Sequence, residues 1–266
     1  LNKNKKIEAD IDGIDRPNIL LFDIETTPLT AYSWGPKWKT YLIECTEPMQ
    51  ILSFSAKWLG GAHITKGWPN YKSYKPGTMN DKALVEEILT LFNKADIIVT
   101  HNGHDYDIKV ANARFMAYNM PPPLPYKIVD TKTEAKKYLR LYSYGLDDLC
   151  DYFNIGRKGH HEGFSLWTRC MAGDPKAWKD MLQYNKHDVT ILEQLYLRLR
   201  PWMVNHPNIG MYRPEVVCPK CGSKSLVWEG WYRNKTTKYH AFSCRNCGGW
   251  GRDTKNLQKI KPLVGT

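Results

Sequence analysis

The run Asn18-Ile19-Leu20-Leu21-Phe22-Asp23-Ile24-Glu25-Thr26-Thr27 constrains this chain more than any other stretch. Apolar residues run into an Asp-x-Glu pair, and the whole lies between Pro17 and Pro28. A short continuous apolar run bounded in this way predicts a strand over 18–25, buried on both faces. Side chains alternate along a strand, so Asp23 and Glu25 leave one face while Phe22 and Ile24 leave the other. Two carboxylates side by side at the end of a buried strand repel each other unless a cation sits between them. Such a pair of oxygen ligands suits Mg²⁺ or Mn²⁺. A strand end with two solvated acids fits the same residues, so the rest of the chain has to decide.

The chain has 266 residues, enough for one large or two smaller domains with a buried core. Its 42% hydrophobic and 24% charged content is ordinary for a globular protein. No apolar run nears the ~20 residues that span a bilayer, and residues 1–16 carry no secretory leader. The expected place of work is therefore the cytoplasm, with no membrane partner. The net charge of +11 is uneven: residues 214–266 hold ten Lys/Arg against three Asp/Glu, or +7, and the remainder holds +4. A basic tail beside a nearly balanced body points to a polyanion partner, although a solubilising surface has the same count. Of seven cysteines, four form two Cys-x-x-Cys pairs, while Cys45, Cys150 and Cys170 are scattered. That favours a reducing compartment and a metal site over a disulfide framework.

Taken in order, residues 1–16 read as a loose arm. Residues 31–48 read as an irregular insertion whose Trp34, Lys37, Trp38, Lys39 and Tyr41 either pack on the body or meet nucleic acid. Strands are expected at 50–58 and 63–66 around the Gly60-Gly61 turn, then at 96–100 and 127–131. Helices are expected from the Asn80/Asp81 cap through Phe92, then at 107–118, 133–141, 143–155 and from Asp174/Pro175 to about Trp202. At its start, the second helix gains from Asp107 through the helix dipole. The glycine-rich segment 156–163, with His160 and His161, reads as a surface loop near substrate phosphates. Tyr184 and Asp188, four residues apart, share one face of the last helix. A strand, hairpin, helix, strand order predicts an α/β fold, a mixed sheet with flanking helices.

Three acidic clusters stand out in this order. Phe22-Asp23-Ile24-Glu25-Thr26, then Asn102 followed by Tyr106-Asp107, then Tyr184-x-x-x-Asp188 resemble the three motifs of the DEDD (DnaQ-like) superfamily of 3′→5′ exonucleases, in its tyrosine form. The histidine form needs His five residues before the last Asp, where this chain has Gln183. The resemblance covers about 17–203 and implies an RNase H-like fold. It implies two Mg²⁺ or Mn²⁺ ions about 4 Å apart. It also implies that Asp23 bridges them, that Glu25 and Asp188 complete the site of the attacking water, and that Asp107 holds the second ion. Tyr184 then orients the water, since a phenol with a pKa of about 10 is a poor base at neutral pH. Thr26 and Asn102 are implied substrate contacts.

The second motif set is Cys218-Pro-Lys-Cys221-Gly and Cys244-Arg-Asn-Cys247-Gly, separated by 22 residues. Two such knuckles with strands at 225–232 and 238–243 resemble a zinc ribbon around one structural Zn²⁺, with a rubredoxin-type iron site as the other possibility. Trp228, Trp231, Tyr232, Tyr239 and Trp250 lie among Arg233, Lys235, Lys238, Arg245 and Arg252, a mix that suits stacking and phosphate contact. Trp231, Arg233 and Lys235 are the expected substrate contacts here, and protein docking is the rival use.

The chain is therefore expected to hold an arm at 1–16, an exonuclease domain at 17–213 and a zinc ribbon at 214–266, a compact layout that resembles a stand-alone enzyme of a bacterial or phage-infected cell. It would release nucleoside 5′-monophosphates from the 3′ end of single-stranded nucleic acid, DNA ahead of RNA. A polymerase or other replication or repair protein is a possible partner. An RNase H-like endonuclease, or a nucleic-acid-binding or docking protein, are the alternatives.

Overall fold

The computed structural model describes residues 16–34, 41–156, 162–259 and 262–264. The arm at 1–15, Lys37, Trp38 and Lys39 of the insertion, and the His160–His161 loop lie outside them.

The opening run forms β1 (Ile19–Thr26), the middle strand of a five-stranded sheet. On one side β4 (Ile51–Trp58) runs antiparallel to it, and β5 (His63–Gly67) antiparallel to β4. On the other side β6 (Ile97–Thr100) and β7 (Lys127–Asp130) run parallel to it. The sheet is mixed, as expected, and β1 reads as an unbroken apolar run because side chains on both of its faces, Leu20 and Phe22 on one and Ile19 and Leu21 on the other, are buried.

Its two faces do different things. Leu20, Phe22 and Ile24 join the main core with α1 (Lys82–Lys94) and α2 (Asp107–Ala117). Phe22 meets Phe92 edge-on at 4.9 Å between centroids, and Phe92 meets Phe115 at 6.0 Å. Each such pair adds about 0.5–1.5 kcal/mol beyond the area it buries. The opposite face carries Asp23 and Glu25, set beside the small side chains of Ser55 and Ser53 in the register of β4. Small neighbours leave room there for α6 (Pro175–Leu199).

Asp81 stands at the start of α1 but makes no cap hydrogen bond, and Asn80 Oδ1 accepts from Lys82 N instead at 3.1 Å. The Asp81 carboxylate is fully buried and accepts from Ile51 N (2.9 Å), from Arg114 Nε (2.8 Å) and Nη2 (2.7 Å), and from the Tyr118 hydroxyl (2.6 Å). Four donors on one carboxylate tie β4, α1 and α2 together. Burial pushes the Tyr118 phenol up to about 12, reinforced by its bond to Asp81.

Other expectations need correction. The insertion is not irregular: β2 (Thr30–Ser33) and β3 (Leu42–Glu47) pair antiparallel. Neither strand buries a face, so neither shows the alternation that marks a strand. The third helix, α3 (Thr131–Tyr138), starts two residues early because Asp130 accepts from Thr133 N at 3.0 Å. The expected 143–155 helix is only α4 (Leu146–Tyr152), followed by Asn154 at φ 55°. A further helix, α5 (Phe164–Met171), was not expected at all. The last helix ends at Leu199 and continues to Trp202 as a 3₁₀ turn through Pro201.

The chain divides into two compact units, one spanning Asn18–Leu195 and the other holding Tyr196–Thr266. The expected border at 213/214 falls inside the second. That unit has two 3₁₀ turns, Arg200–Trp202 and Ile209–Tyr212, and a sheet in the order β10–β9–β8. Its strands are β8 (Leu226–Arg233), β9 (Lys238–Cys244) and the unexpected β10 (Trp250–Arg252). His206 packs flat on Tyr196, exchanging a 2.8 Å hydrogen bond with its hydroxyl, and burial pushes the imidazole down to about 4.

Candidate active site and cysteine cluster

Asp23 and Glu25 leave the same face of β1, and α6 lays Asp188 against them. One ligand oxygen from each lies within 4.8 Å of the others. Asp188 is 1% exposed and the other two are half-buried. Three carboxylates this close repel strongly unless a cation joins them, and an all-oxygen set fits Mg²⁺ or Mn²⁺ rather than a soft metal. The register slips between Glu25 and Thr26, so a bulge sits at the edge of the cluster.

Asp107 comes from the first turn of α2 and is buried. Its Oδ1 accepts the Ile24 amide at 3.0 Å, which fixes it beside the backbone between Asp23 and Glu25. Being set at a helix start is thus only part of its environment. Asn102 lies in the turn after β6 at φ 67°, and its carbonyl accepts from Tyr106 N. Asn tolerates that left-handed conformation better than most residues. Gly103 next to it is required by space, because a Cβ there would stand 2.5 Å from Thr100 Cβ. Thr26 Oγ1 lies 2.6 Å from the Tyr106 hydroxyl, which also donates to Met49 Sδ at 3.3 Å. Tyr106 stays 40% exposed.

Tyr184 stands one helical turn before Asp188, its ring edge-on to Trp167 of α5 at 6.2 Å. It lines a groove of about 840 Å³ with Thr65, Leu166, Lys186, His187 and Thr190. The three clustered acids are not part of that lining; Tyr184 links the groove to them along α6.

One residue of this site was missed in the sequence. Asn185 is fully buried and donates from Nδ2 to Asp23 Oδ2 at 2.7 Å. Its Oδ1 accepts from Ser53 Oγ at 3.2 Å. The signal was present: Asn185 falls on the stripe of Met181, Val189 and Leu192, which are all buried, and a polar residue there needs a partner.

In the second unit Cys218, Cys221, Cys244 and Cys247 bring their sulfurs within 4.8 Å of one another. Sγ–Sγ separations are 3.8 Å for Cys218–Cys247 and 3.6 Å for Cys221–Cys244, and no disulfide forms among the described residues. A tetrahedron with Zn–S near 2.3 Å has edges of about 3.8 Å, so the cluster fits zinc. The contact between Cys218 and Cys221 lets one thiol hold the other's thiolate, lowering Cys221 and raising Cys218. Lys220, between them, is buried and donates to Pro201 O. Trp231 and Arg233 sit on β8, and Lys235 in the exposed turn that follows.

The family model described as RNase_H superfamily matches residues 43–200, more than half of the chain. The chain belongs to that superfamily, and its fold is that of the RNase H-like nucleases, which work with divalent metals on nucleic acid. The matched span starts after β1, so Asp23 and Glu25 lie outside it. Among solved structures the chain is similar to the family B DNA polymerase from the hyperthermophilic archaeon Pyrobaculum calidifontis. The TM-score is 0.51 at 13% identity, with 85% of this chain and 33% of that one covered. At this identity the likeness is one of fold, and the chain spans about a third of the polymerase's length. No curated protein matches. Among the described residues, no helix is long and apolar enough to cross a membrane.

Proposed function

We propose that this protein is a 3′→5′ exonuclease of the DEDD type in its tyrosine form. It takes single-stranded nucleic acid, DNA ahead of RNA, and releases nucleoside 5′-monophosphates. The observation that carries the reading is the meeting of Asp23, Glu25 and Asp188 within 4.8 Å, from a central strand and a late helix, with Asp107 held on the intervening backbone. Asp23, Glu25, Asp188 and Asp107 are the oxygen ligands for two Mg²⁺ or Mn²⁺ ions. When bound, those ions supply charge neutralisation at phosphorus and a water of lowered pKa. Tyr184 would orient the attacking water through its hydroxyl. Asn185 holds the Asp23 carboxylate in place. Thr26, with Tyr106, and Asn102 meet the terminal nucleotide. In this reading the chain holds an arm at 1–16, the nuclease at 17–213 and a zinc ribbon at 214–266. The ribbon's Cys218, Cys221, Cys244 and Cys247 hold one structural Zn²⁺, and its Trp231, Arg233 and Lys235 help to bind substrate. The polymerase-like fold makes a polymerase or repair protein a reasonable partner in trans.

The test is a time course on 5′-labelled single-stranded DNA, duplex DNA and RNA with Mg²⁺ or Mn²⁺, beside Asp23→Ala. The expected result is a ladder that shortens from the 3′ end, strongest on single-stranded DNA and absent in the variant. Cuts within a circular substrate would replace this reading with an endonuclease.

A further inference from the structure

In the sheet of the second unit, Trp228 pairs with Phe242 and Trp231 with His240, three residues of advance on β8 against two on β9. In a regular strand, residues three apart leave opposite faces. The bulge at Glu229–Gly230, with Gly230 at φ 70°, turns both tryptophans to the same face. His240 lies between them, 5.2 Å from each ring and tilted 33° to both. Phe242 continues the line inward, 5.1 Å from Trp228, and Lys238 Nζ closes its outer end, 4.0 Å over Trp231. Only the inner end is buried. Phe242 is 4% exposed, whereas Trp228 and Trp231 keep 40% and 46% of their surface in water. The indoles are therefore not spent on the ribbon's core.

We propose that this line of rings is a binding site for the unpaired bases of single-stranded nucleic acid. Bases stack on the exposed parts of the Trp228 and Trp231 indoles, displacing the Lys238 ammonium from the latter, while the +7 balance of residues 214–266 meets the phosphates. Charge selects a polyanion, and the exposed indoles select bases that are not already covered by a duplex partner. The proposal deepens the reading above and takes its polynucleotide ligand from it, but binding is measured apart from cleavage.

The experiment uses the full chain carrying Asp23→Ala, without added Mg²⁺, and follows the anisotropy of labelled single-stranded and duplex oligonucleotides. Adding Trp228→Leu and Trp231→Leu keeps the apolar bulk and removes the stacking faces. Single-strand affinity should fall at least about tenfold, since each base–aromatic stack contributes about 1–3 kcal/mol. The Trp→Phe pair should restore most of it, with zinc content unchanged. If the double Leu variant loses zinc, Trp231→Leu alone, at the outer end, decides. Unchanged single-strand affinity in zinc-loaded protein, or equal losses on duplex, would overturn the proposal and leave the surface to a protein partner. Wild-type cleavage that survives Asp23→Ala would instead sink the nuclease reading and leave the binding result intact.

Discussion

Asn185 shows how one buried amide can govern a charged site. It spans Ser53 and Asp23, so its removal takes a hydrogen bond from the Asp23 carboxylate and strands the Ser53 hydroxyl. A hydrogen bond to a charged group contributes about 1.5–3 kcal/mol. Asn185→Ala should therefore lower kcat by roughly tenfold or more and raise the Mg²⁺ concentration needed for half-maximal rate, with KM for the oligonucleotide little changed. A lower melting temperature with an unchanged Mg²⁺ requirement would reduce Asn185 to a packing role. Asp81 makes a contrasting case, because its partners serve the fold. Asp81→Ala leaves the Arg114 guanidinium, 13% exposed, without its carboxylate. Breaking one side of a buried ion pair costs about 3–5 kcal/mol, to be read as a drop in the urea midpoint. The activity of the fraction still folded should hold. The sequence places Asp81 at a helix start, where a cap is the ordinary use. Only the tertiary arrangement of Ile51, Arg114 and Tyr118 reveals the larger one.

At the scale of elements, legibility followed burial. β1 was readable because both of its faces are covered, and α6 because a 25-residue helix repeats its apolar stripe many times. β2 and β3 were not, since a hairpin exposed on both faces leaves no alternation. α5 was missed because eight residues give barely two turns, with Leu166 and Cys170 as the only fully buried pair. The strand order, with β1 central, comes from pairings distant in sequence that no local pattern reports. Two glycines of the second unit's sheet separate two physical demands. Gly251 lies under Phe242, and a Cβ there would stand 2.3 Å from its Cζ. Gly230 has open space but a left-handed backbone. Gly230→Ala should cost roughly 1–2 kcal/mol, the left-handed penalty of an ordinary residue. Gly251→Ala should cost more, because Phe242 must leave its place beside Trp228. Zinc retention against a competing chelator should rank the two variants in that order, and a reversed order would show that the bulge, not the ring packing, holds the sheet.

The molecule joins a unit built on a packed sheet to one whose four clustered cysteines fit a metal, so acid should not act on both alike. Lowered by burial to about 4, His206 gives the second unit a titration of its own. In the unfolded chain an imidazole takes up its proton near 6.5. Between pH 6.5 and 4 the unfolded form therefore binds more protons than the folded one, and stability falls as pH falls through that window. Above about 6.5 the contribution is fully present; below about 4 no further loss comes from this group. With His206 buried, the total is on the order of 3 kcal/mol. The cysteines would push in the same direction, since a metal held by their thiolates competes with protons. The two sources separate in His206→Gln, which keeps a polar partner for the Tyr196 hydroxyl and cannot titrate. Amide exchange in β9 should show protection falling from pH 6.5 toward 4 in the wild type and falling less steeply in the variant, while β1 in the other unit changes little. Equal slopes in the two proteins would assign the acid lability to the zinc cluster alone.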